Sequence, residues 1–199
     1  MTTETRRSIT LMLKNKRLGF VDLAEARSVN GGKPSFGVRV IVDPKDPDVQ
    51  ILDAAMLEVA TTQWKDKGVN VLDMLIEKGR VSFLKKEYRN LKGETHKGFD
   101  GMYSVGASAP SDKQPGCFDE FGKQLDADGI RRKIYSGCYA HVKVEIYPLL
   151  RDDGNRINCA VLGVMFAKDG EAFGGGSGPA TASDFADLTQ AAPDADDLL

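Results

Sequence analysis

The stretch Tyr139-Ala140-His141-Val142-Lys143-Val144-Glu145-Ile146-Tyr147 decides the fold. Ala140, Val142, Val144 and Ile146 fall on one parity, and Tyr139, His141, Lys143, Glu145 and Tyr147 on the other. A period of two is that of a β-strand with one face buried and one open. Downstream, Asp152-Asp153-Gly154-Asn155 reads as a hairpin turn into a second strand, Cys159 to Phe166. Upstream, Ser8 to Leu13 and Phe36 to Val42 are β-branched or apolar runs, with Gly31-Gly32 marking a turn between them. Further strands are expected at Val81 to Leu84 and Met102 to Ala107.

One helix stands out among these strands. Asp46 is placed to cap it, and Pro47 suits its first turn. Ile51, Leu52, Ala55, Met56, Val59, Ala60 and Trp64 then give an apolar stripe of helical period. Gly68 is expected to stop it, and a second short helix to run from Val71 to Glu77 and end near Gly79. Trp64 continues the apolar stripe and reads as core rather than as a base-stacking platform. Dominant strands with one or two helices between them fit a small closed β-barrel with insertions; regular strand–helix alternation, which an open α/β sheet needs, is absent.

The charge is distributed unevenly. The chain has 199 residues and a formal charge of -2, with 27 Lys and Arg against 29 Asp and Glu. Every Lys and Arg lies at or before Lys168, whereas Asp169, Glu171, Asp184, Asp187, Asp194, Asp196 and Asp197 lie after it, so residues 1–168 carry a formal +5. A basic body with an acidic end points to nucleic-acid contact or an interaction tail. Phe173-Gly174-Gly175-Gly176-Ser177-Gly178-Pro179 reads as a hinge, and only Phe185, Leu188, Leu198 and Leu199 interrupt the polar segment beyond it. The expected organisation is a folded domain over 1–176 and a flexible, disordered acidic tail over 177–199.

Several function classes find no support. No apolar run approaches the ~20 residues of a membrane span, and the N-terminus lacks the apolar core of a signal peptide. The expected location is the cytoplasm. Cys117, Cys138 and Cys159 form no close pair, so they read as buried thiols rather than a disulfide framework or zinc site. No catalytic motif or dinucleotide fingerprint is present, and the glycines near 174–178 lack the strand–loop–helix context of a phosphate loop. The expectation is a binding protein without metal or cofactor.

What the chain does offer is cations interleaved with aromatic rings. Arg80, Phe83, Lys85, Lys86, Tyr88, Arg89 and Lys92 form one group; Lys97, Phe99, Tyr103 and Lys113 follow; Arg131, Arg132, Lys133, Tyr135, Tyr139, His141, Lys143 and Tyr147 form another. Cations neutralise phosphates and release counterions, while exposed rings stack on bases whatever the sequence. Phe83 and Phe99 read as core. Tyr139, His141, Lys143 and Tyr147 lie on the open face of the alternating strand. The candidate single-strand-binding residues are therefore Lys85, Lys86, Tyr88, Arg89, Tyr103, Lys113, Tyr135, Tyr139, His141, Lys143 and Tyr147.

The run Tyr135-Ser136-Gly137-Cys138-Tyr139-Ala140, ahead of an alternating strand that ends in Tyr147-Pro148, resembles the tyrosine-x-glycine-cysteine signature of single-stranded DNA-binding proteins encoded by tailed phages. Asp100-Gly101-Met102-Tyr103, Ala107-Ser108, Lys113 to Pro115, Asp119, Lys168-Asp169-Gly170-Glu171, Gly174-Gly175-Gly176 and Phe185 follow that family's order, as do the Phe36 to Pro44 strand and the helix after it. The resemblance implies an OB-fold that coats single-stranded DNA in phage replication, recombination and repair. It also implies that the acidic tail, through Asp194, Asp196, Asp197, Leu198 and Leu199, recruits a replication polymerase, helicase or nuclease. A homodimer is a further expectation. An RNA-binding or strand-annealing accessory protein would use the same surface and is separated by comparing ssDNA with ssRNA. A purely protein-binding factor would show no salt-dependent DNA affinity.

Overall fold

Residues 8–28 and 31–173 are described by the structure, a computed structural model. The barrel is built on β1 (Ile9–Arg27), 19 residues long where the sequence suggested a strand ending near Leu13. Its first half pairs antiparallel with β6 (Tyr139–Leu149), from Ile9↔Ile146 to Arg17↔Tyr139. Its second half pairs antiparallel with β2 (Ser35–Val42), from Arg17↔Ile41 to Arg27↔Ser35. Two irregularities bend it. Asn15 (φ 51°) lies in the register shift between Leu13 and Lys16, and Phe20 (φ 49°) in that between Gly19 and Asp22. Each extra residue inverts the inside–outside parity, so the buried positions run Leu13, Lys16, Leu18, Gly19 and Leu23. That broken period is why the strand is hard to follow in the sequence.

Strand β2 pairs antiparallel with β4 (Tyr103–Pro110) in unbroken register from Ser35↔Pro110 to Val42↔Tyr103. Strand β6 pairs antiparallel with β7 (Arg156–Lys168) across the Asp152–Asn155 turn, as expected. The barrel closes where β4 meets β7 in parallel at Ser108↔Ala160. The cycle β1–β2–β4–β7–β6 is a five-stranded OB-type barrel, with only this closing pair parallel. Two short strands border it. Strand β3 (Phe83–Leu84) pairs with β4, and β5 (Gly116–Phe118) runs parallel to β7.

The β6 pattern is realised: Ala140, Val142, Val144 and Ile146 are buried, and the alternate side chains point outward. They meet Leu13, Leu18, Val38, Val40, Val105, Val161 and Val164 in the barrel interior. Burying each Val or Ile stabilises the fold by roughly 1.5–3 kcal/mol. Phe83 and Phe99 are core, as expected, and Trp64 is half-buried against it. All three cysteines are free and buried. Burial pushes the Cys117 and Cys138 thiols up to about 11 and Cys159 to about 12, so they are protonated and unreactive near neutrality.

Helices α1 (Asp48–Trp64) and α2 (Gly68–Glu77) lie between β2 and β3. The structure corrects one reading here. Gly68 does not simply stop the first helix; it is the first residue of the second, in ordinary helical conformation. A Cβ there would lie 2.5 Å from Thr61 Cα, so glycine allows α2 to press against the end of α1. A third helix, α3 (Ala127–Lys133), was not anticipated. Asp126 caps it, accepting from Gly129 N–H at 2.7 Å, and it packs Ile130 and Ile134 into the core beside β1. None of the helices among the described residues is long and apolar enough to cross a membrane. The acidic segment 177–199 lies outside the described residues.

Lys16 ties the first bend of β1 to the start of α1. It is 8% exposed, with Nζ 2.5 Å from Asp46 Oδ2 and 2.8 Å from Asp48 Oδ2. Asp46 Oδ1 in turn accepts from Asp48 N–H at 2.9 Å. Burial alone would lower the Lys16 pKa, but the two carboxylates outweigh it and hold it above 10.5. Burial would likewise raise Asp46, but Lys16 and the Asp48 amide hold it below 3.8. A depressed carboxylate stabilises the fold above its unfolded pKa, and that contribution is lost as pH falls through the folded value. The raised lysine keeps its contribution up to the alkaline range. Lys16→Met should therefore destabilise the protein by about 1–3 kcal/mol at neutral pH. In denaturant melts, the gap between the two proteins should close as pH drops below 3.8; a gap independent of pH would contradict the ion-pair account.

Candidate nucleic-acid interface

The outer face of β2 and β4 is nearly bare of large side chains. Ser35 and Gly37 from β2, and Gly106 and Ser108 from β4, form the floor of a groove of 480 Å³, with Val81, Ser82 and Leu84 alongside and Phe20, Asp22, Arg39 and Tyr88 standing in it. In an OB barrel this second-and-third-strand face is where oligonucleotides lie. Gly106 serves a definite purpose: a Cβ there would sit 3.1 Å from Arg39 Nη2. The glycine leaves room for the guanidinium, whose Cζ is 3.7 Å from the Tyr88 ring centre and whose Nη1 donates to Ser104 Oγ at 3.2 Å. Burial pulls the Arg39 pKa down from its ordinary value, against the opposing pull of Tyr88, but an arginine side chain stays protonated in a protein.

Tyr88 opens a cluster of rings that continues over the bend in β1. Its ring stacks on His96 (5.2 Å, 24°) and meets Phe20 edge-on (5.3 Å, 81°). Phe20 also contacts His96 at 4.8 Å and the buried Phe99 at 5.8 Å, and Phe99 in turn lies 6.3 Å from Phe173. Arg17 carries the row onward: its Cζ is 4.3 Å from the Phe173 ring and 5.9 Å from Tyr139, and Lys168 Nζ is 4.7 Å from Tyr139. Phe20 is exceptional within it. A bulky residue in the left-handed region costs about 1–2 kcal/mol, yet this one is also 44% exposed. Neither property serves the core. The bulge aims the ring outward, onto the groove.

Residues 169–173 cross this row as a strap. The Tyr135 hydroxyl lies 3.0 Å from both Asp169 Oδ1 and the Gly170 carbonyl, and accepts from Gly170 N–H at 3.2 Å. Burial and the neighbouring Asp169 raise its pKa above 10, so it remains a neutral donor. Arg17 Nη2 donates to the Glu171 carbonyl at 2.8 Å, and Phe173 N–H to the Ser136 carbonyl at 2.9 Å. Gly137 (φ 117°) and Gly170 press together here, where any Cβ would strike the opposing backbone.

The expected site residues divide among several places. Tyr88 stands at the centre of the ring cluster. Arg89 closes the hairpin above it, bonded to Glu87 at 2.7 Å and to the Gly93 carbonyl at 3.1 Å. Lys86 is exposed nearby, while Lys85 reaches Asp53 of α1 at 2.5 Å. Tyr103 packs edge-on to Phe83 at 6.1 Å, against the core. Tyr135 holds the strap. Tyr139, His141, Lys143 and Tyr147 share the outer face of β6, but Tyr139 joins Arg17 and Lys168 at one end, His141 Nδ1 accepts from Asn15 N–H at 3.1 Å, and Tyr147 lies at the other end. There it lines a second groove, of 560 Å³, with Lys113, Gln114, Glu145 and Ser108.

Ser108 thus belongs to both grooves, and Phe20 to both the first groove and the ring cluster. The surface features join into one track around the barrel, from Phe173 through Phe20, Arg39–Tyr88 and Ser108 to Lys113 and Tyr147. Sequence reading missed Arg17, Phe20, Arg39, His96 and Phe173. Of these only Phe20, preceded by Gly19, has a local mark in the sequence.

Tyr135→Phe removes the hydroxyl that the strap depends on. A lost hydrogen bond of about 1 kcal/mol should speed amide exchange at Gly170 by several-fold while leaving the global melt almost unchanged. Unaltered exchange at Gly170 would mean that the strap is held without the phenol.

Comparison with known proteins agrees with this architecture. The sequence model of the family described as "Enterobacter phage Enc34, ssDNA-binding protein" matches residues 9–199. A protein named p50, from Acyrthosiphon pisum secondary endosymbiont phage 1, is 28% identical over 183 residues, covering 91% of this chain and 95% of its own. Among solved structures, the single-stranded DNA-binding protein from bacteriophage Enc34 in complex with ssDNA is similar with a TM-score of 0.68 and 19% identity, over 83% of this chain and 89% of that one. The single-stranded DNA-binding protein gp2.5 of bacteriophage T7 is similar with a TM-score of 0.50 and 14% identity, over 94% and 96%. At these identities the two structures speak for the fold.

Proposed function

The chain belongs to the family of the Enterobacter phage Enc34 single-stranded DNA-binding protein, and from that premise we propose that it coats single-stranded DNA with little regard to base sequence. One observation carries this reading: the continuous track in which Phe20, Tyr88 and Tyr147 stand as rings along grooves that also present Arg39 and Lys113. Rings offer stacking surface to any base, and cations meet the phosphates between them. The bare floor at Gly37, where nothing lies within 4 Å of a Cβ, lets the strand approach the sheet closely. Tyr139, His141 and Lys143 extend the surface along β6, and Lys86 and Arg89 flank it beside Tyr88.

The roles we assign to the chain are DNA replication, recombination and repair in a phage. The acidic residues after Lys168 would compete with DNA for the basic body, and Asp194, Asp196, Asp197, Leu198 and Leu199 would meet replication proteins once DNA displaces them. A tethered segment has an effective concentration in the millimolar range, so weak ionic contacts suffice at low salt.

Fluorescence anisotropy with an oligo-dT across a salt series tests the reading. Affinity should fall linearly with log salt, and a duplex of the same length should bind far more weakly. Arg39→Ala and Tyr88→Ala should each cost about 1–3 kcal/mol, and loss of Arg39 should reduce the salt slope by about one. Equal affinity for duplex and single strand would remove the coating function, and tighter binding of ssRNA would replace it with an RNA-binding one. Deleting residues 177–199 should raise DNA affinity, most at low ionic strength. Superimposable curves would refute competition by the acidic segment.

A further inference from the structure

Beside the strained Phe20 lies a slot that an open, sequence-tolerant track does not require. It measures 200 Å³ and is lined by Phe20, His96, Lys97, Phe99, Ser136 and Phe173. Phe99, 1% exposed, is its floor. Phe20 with His96 forms one wall, and Phe173, from the strap, forms the other. A cavity of about 150 Å³ is enough to hold a benzene ring, so the slot accommodates one planar aromatic group. Its polar margin is small and placed at the edges. Ser136 Oγ accepts from Val21 N–H at 3.2 Å and has its own proton to donate. Lys97 Nζ stands at the mouth, 2.8 Å from Glu171 Oε1 and 3.4 Å from the Ala172 carbonyl.

Three features show that the slot is held in shape. Gly19 stands directly behind Phe99, where a Cβ would come within 2.8 Å of its ring. Gly98 (φ 85°) leaves the space that the Phe173 ring fills, since a Cβ there would collide with that ring. The Arg17 guanidinium covers Phe173 and fixes the strap behind it. A structure that required only hydrophobic burial would not keep Phe20 strained and half open at the rim.

We propose that this slot receives one unstacked nucleobase of the bound strand, inserted between Phe20 and Phe173, and that Lys97 exchanges Glu171 for the adjoining phosphate as the base enters. The inference rests on the single-strand-binding reading above and adds a fixed point to it. Elsewhere on the track bases lie against single exposed rings and can shift; here one base is enclosed. Because Phe173 and Glu171 belong to the strap, the inserted base bears directly on the segment that leads into the acidic residues. DNA occupancy and the position of the strap are therefore linked at this slot.

The full-length protein, bound to an oligo-dT containing one 5-iododeoxyuridine, provides the test. After long-wavelength irradiation, cross-linked peptides should map to Phe20, His96 or Phe173. Phe173→Leu, which keeps an apolar wall but no ring, should lower affinity about tenfold by anisotropy. Glu171→Gln, on an exposed side chain, should raise affinity about two- to fivefold at low salt by freeing Lys97 in the unbound protein. The slot is refuted if the oligonucleotide binds in full while cross-links fall only on Tyr88, Tyr139 or Tyr147 and Phe173→Leu binds as the parent does. A Glu171→Gln protein that binds no more tightly would refute the Lys97 exchange. Failure of the oligonucleotide to bind at all would overturn the broader function, and the slot with it.

Discussion

Strand β1 must serve two halves of one barrel. It pairs with β6 before Arg17 and with β2 after it, and a straight 19-residue strand could not lie along both. The two residues in left-handed backbone conformation, Asn15 and Phe20, accomplish the turn. Each has a local cost, which the surrounding structure offsets. Next to the first bend, buried Lys16 is clamped by Asp46 and Asp48, which brings α1 against the barrel. At the second, Gly19 makes room for Phe99 behind the strand while Phe20 is turned outward in front of it. The deformation that closes the barrel also creates the exposed ring from which the grooves and the slot extend.

The cations are sorted by what they can release. Lys85, Arg89 and Lys97 are engaged with Asp53, Glu87 and Glu171 at half-exposed positions, where such pairs contribute little to stability. A phosphate can replace the carboxylate at modest cost. Arg39 differs, being packed over the Tyr88 ring with its hydrogen bond directed to Ser104. It is positioned before any ligand arrives, and a preorganised charge loses less freedom on binding than a mobile lysine does. The proposed site therefore combines a fixed centre with a periphery of exposed ion pairs.

How much of this could be read in the sequence depended on whether the pattern was regular. Strand β6 kept strict alternation through nine residues, so its inner and outer faces were legible, and α1 was legible from its apolar stripe. The far half of β1 was not, because two bulges reset the period and Leu23-Ala24-Glu25-Ala26-Arg27 has the composition of a helix. Helix α3 has a capping Asp126 and a basic last turn but only seven residues, of which Ile130 is the one large apolar side chain buried. Tyr88, Lys86 and Arg89 drew attention because charge and aromaticity lie side by side there, and the structure places Tyr88 in the ring cluster. Arg39 was hidden in an apolar strand and Phe20 beside a glycine, and their partners Tyr88 and Phe99 are distant in sequence. Tyr135 and Tyr103 satisfy the same composition rule yet are engaged in packing, since composition does not say which way a ring points.

Amide hydrogen exchange of the full-length protein, with and without a saturating oligo-dT, tests most directly whether the bend in β1 organises the binding surface. The account predicts added protection over residues 17–21, 35–39, 96–99 and 104–108, joined in one footprint, with α1 and α2 unchanged. Protection confined to α1 and α2, or to the outer face of β6 and β7 without the Phe20 bend, would contradict it.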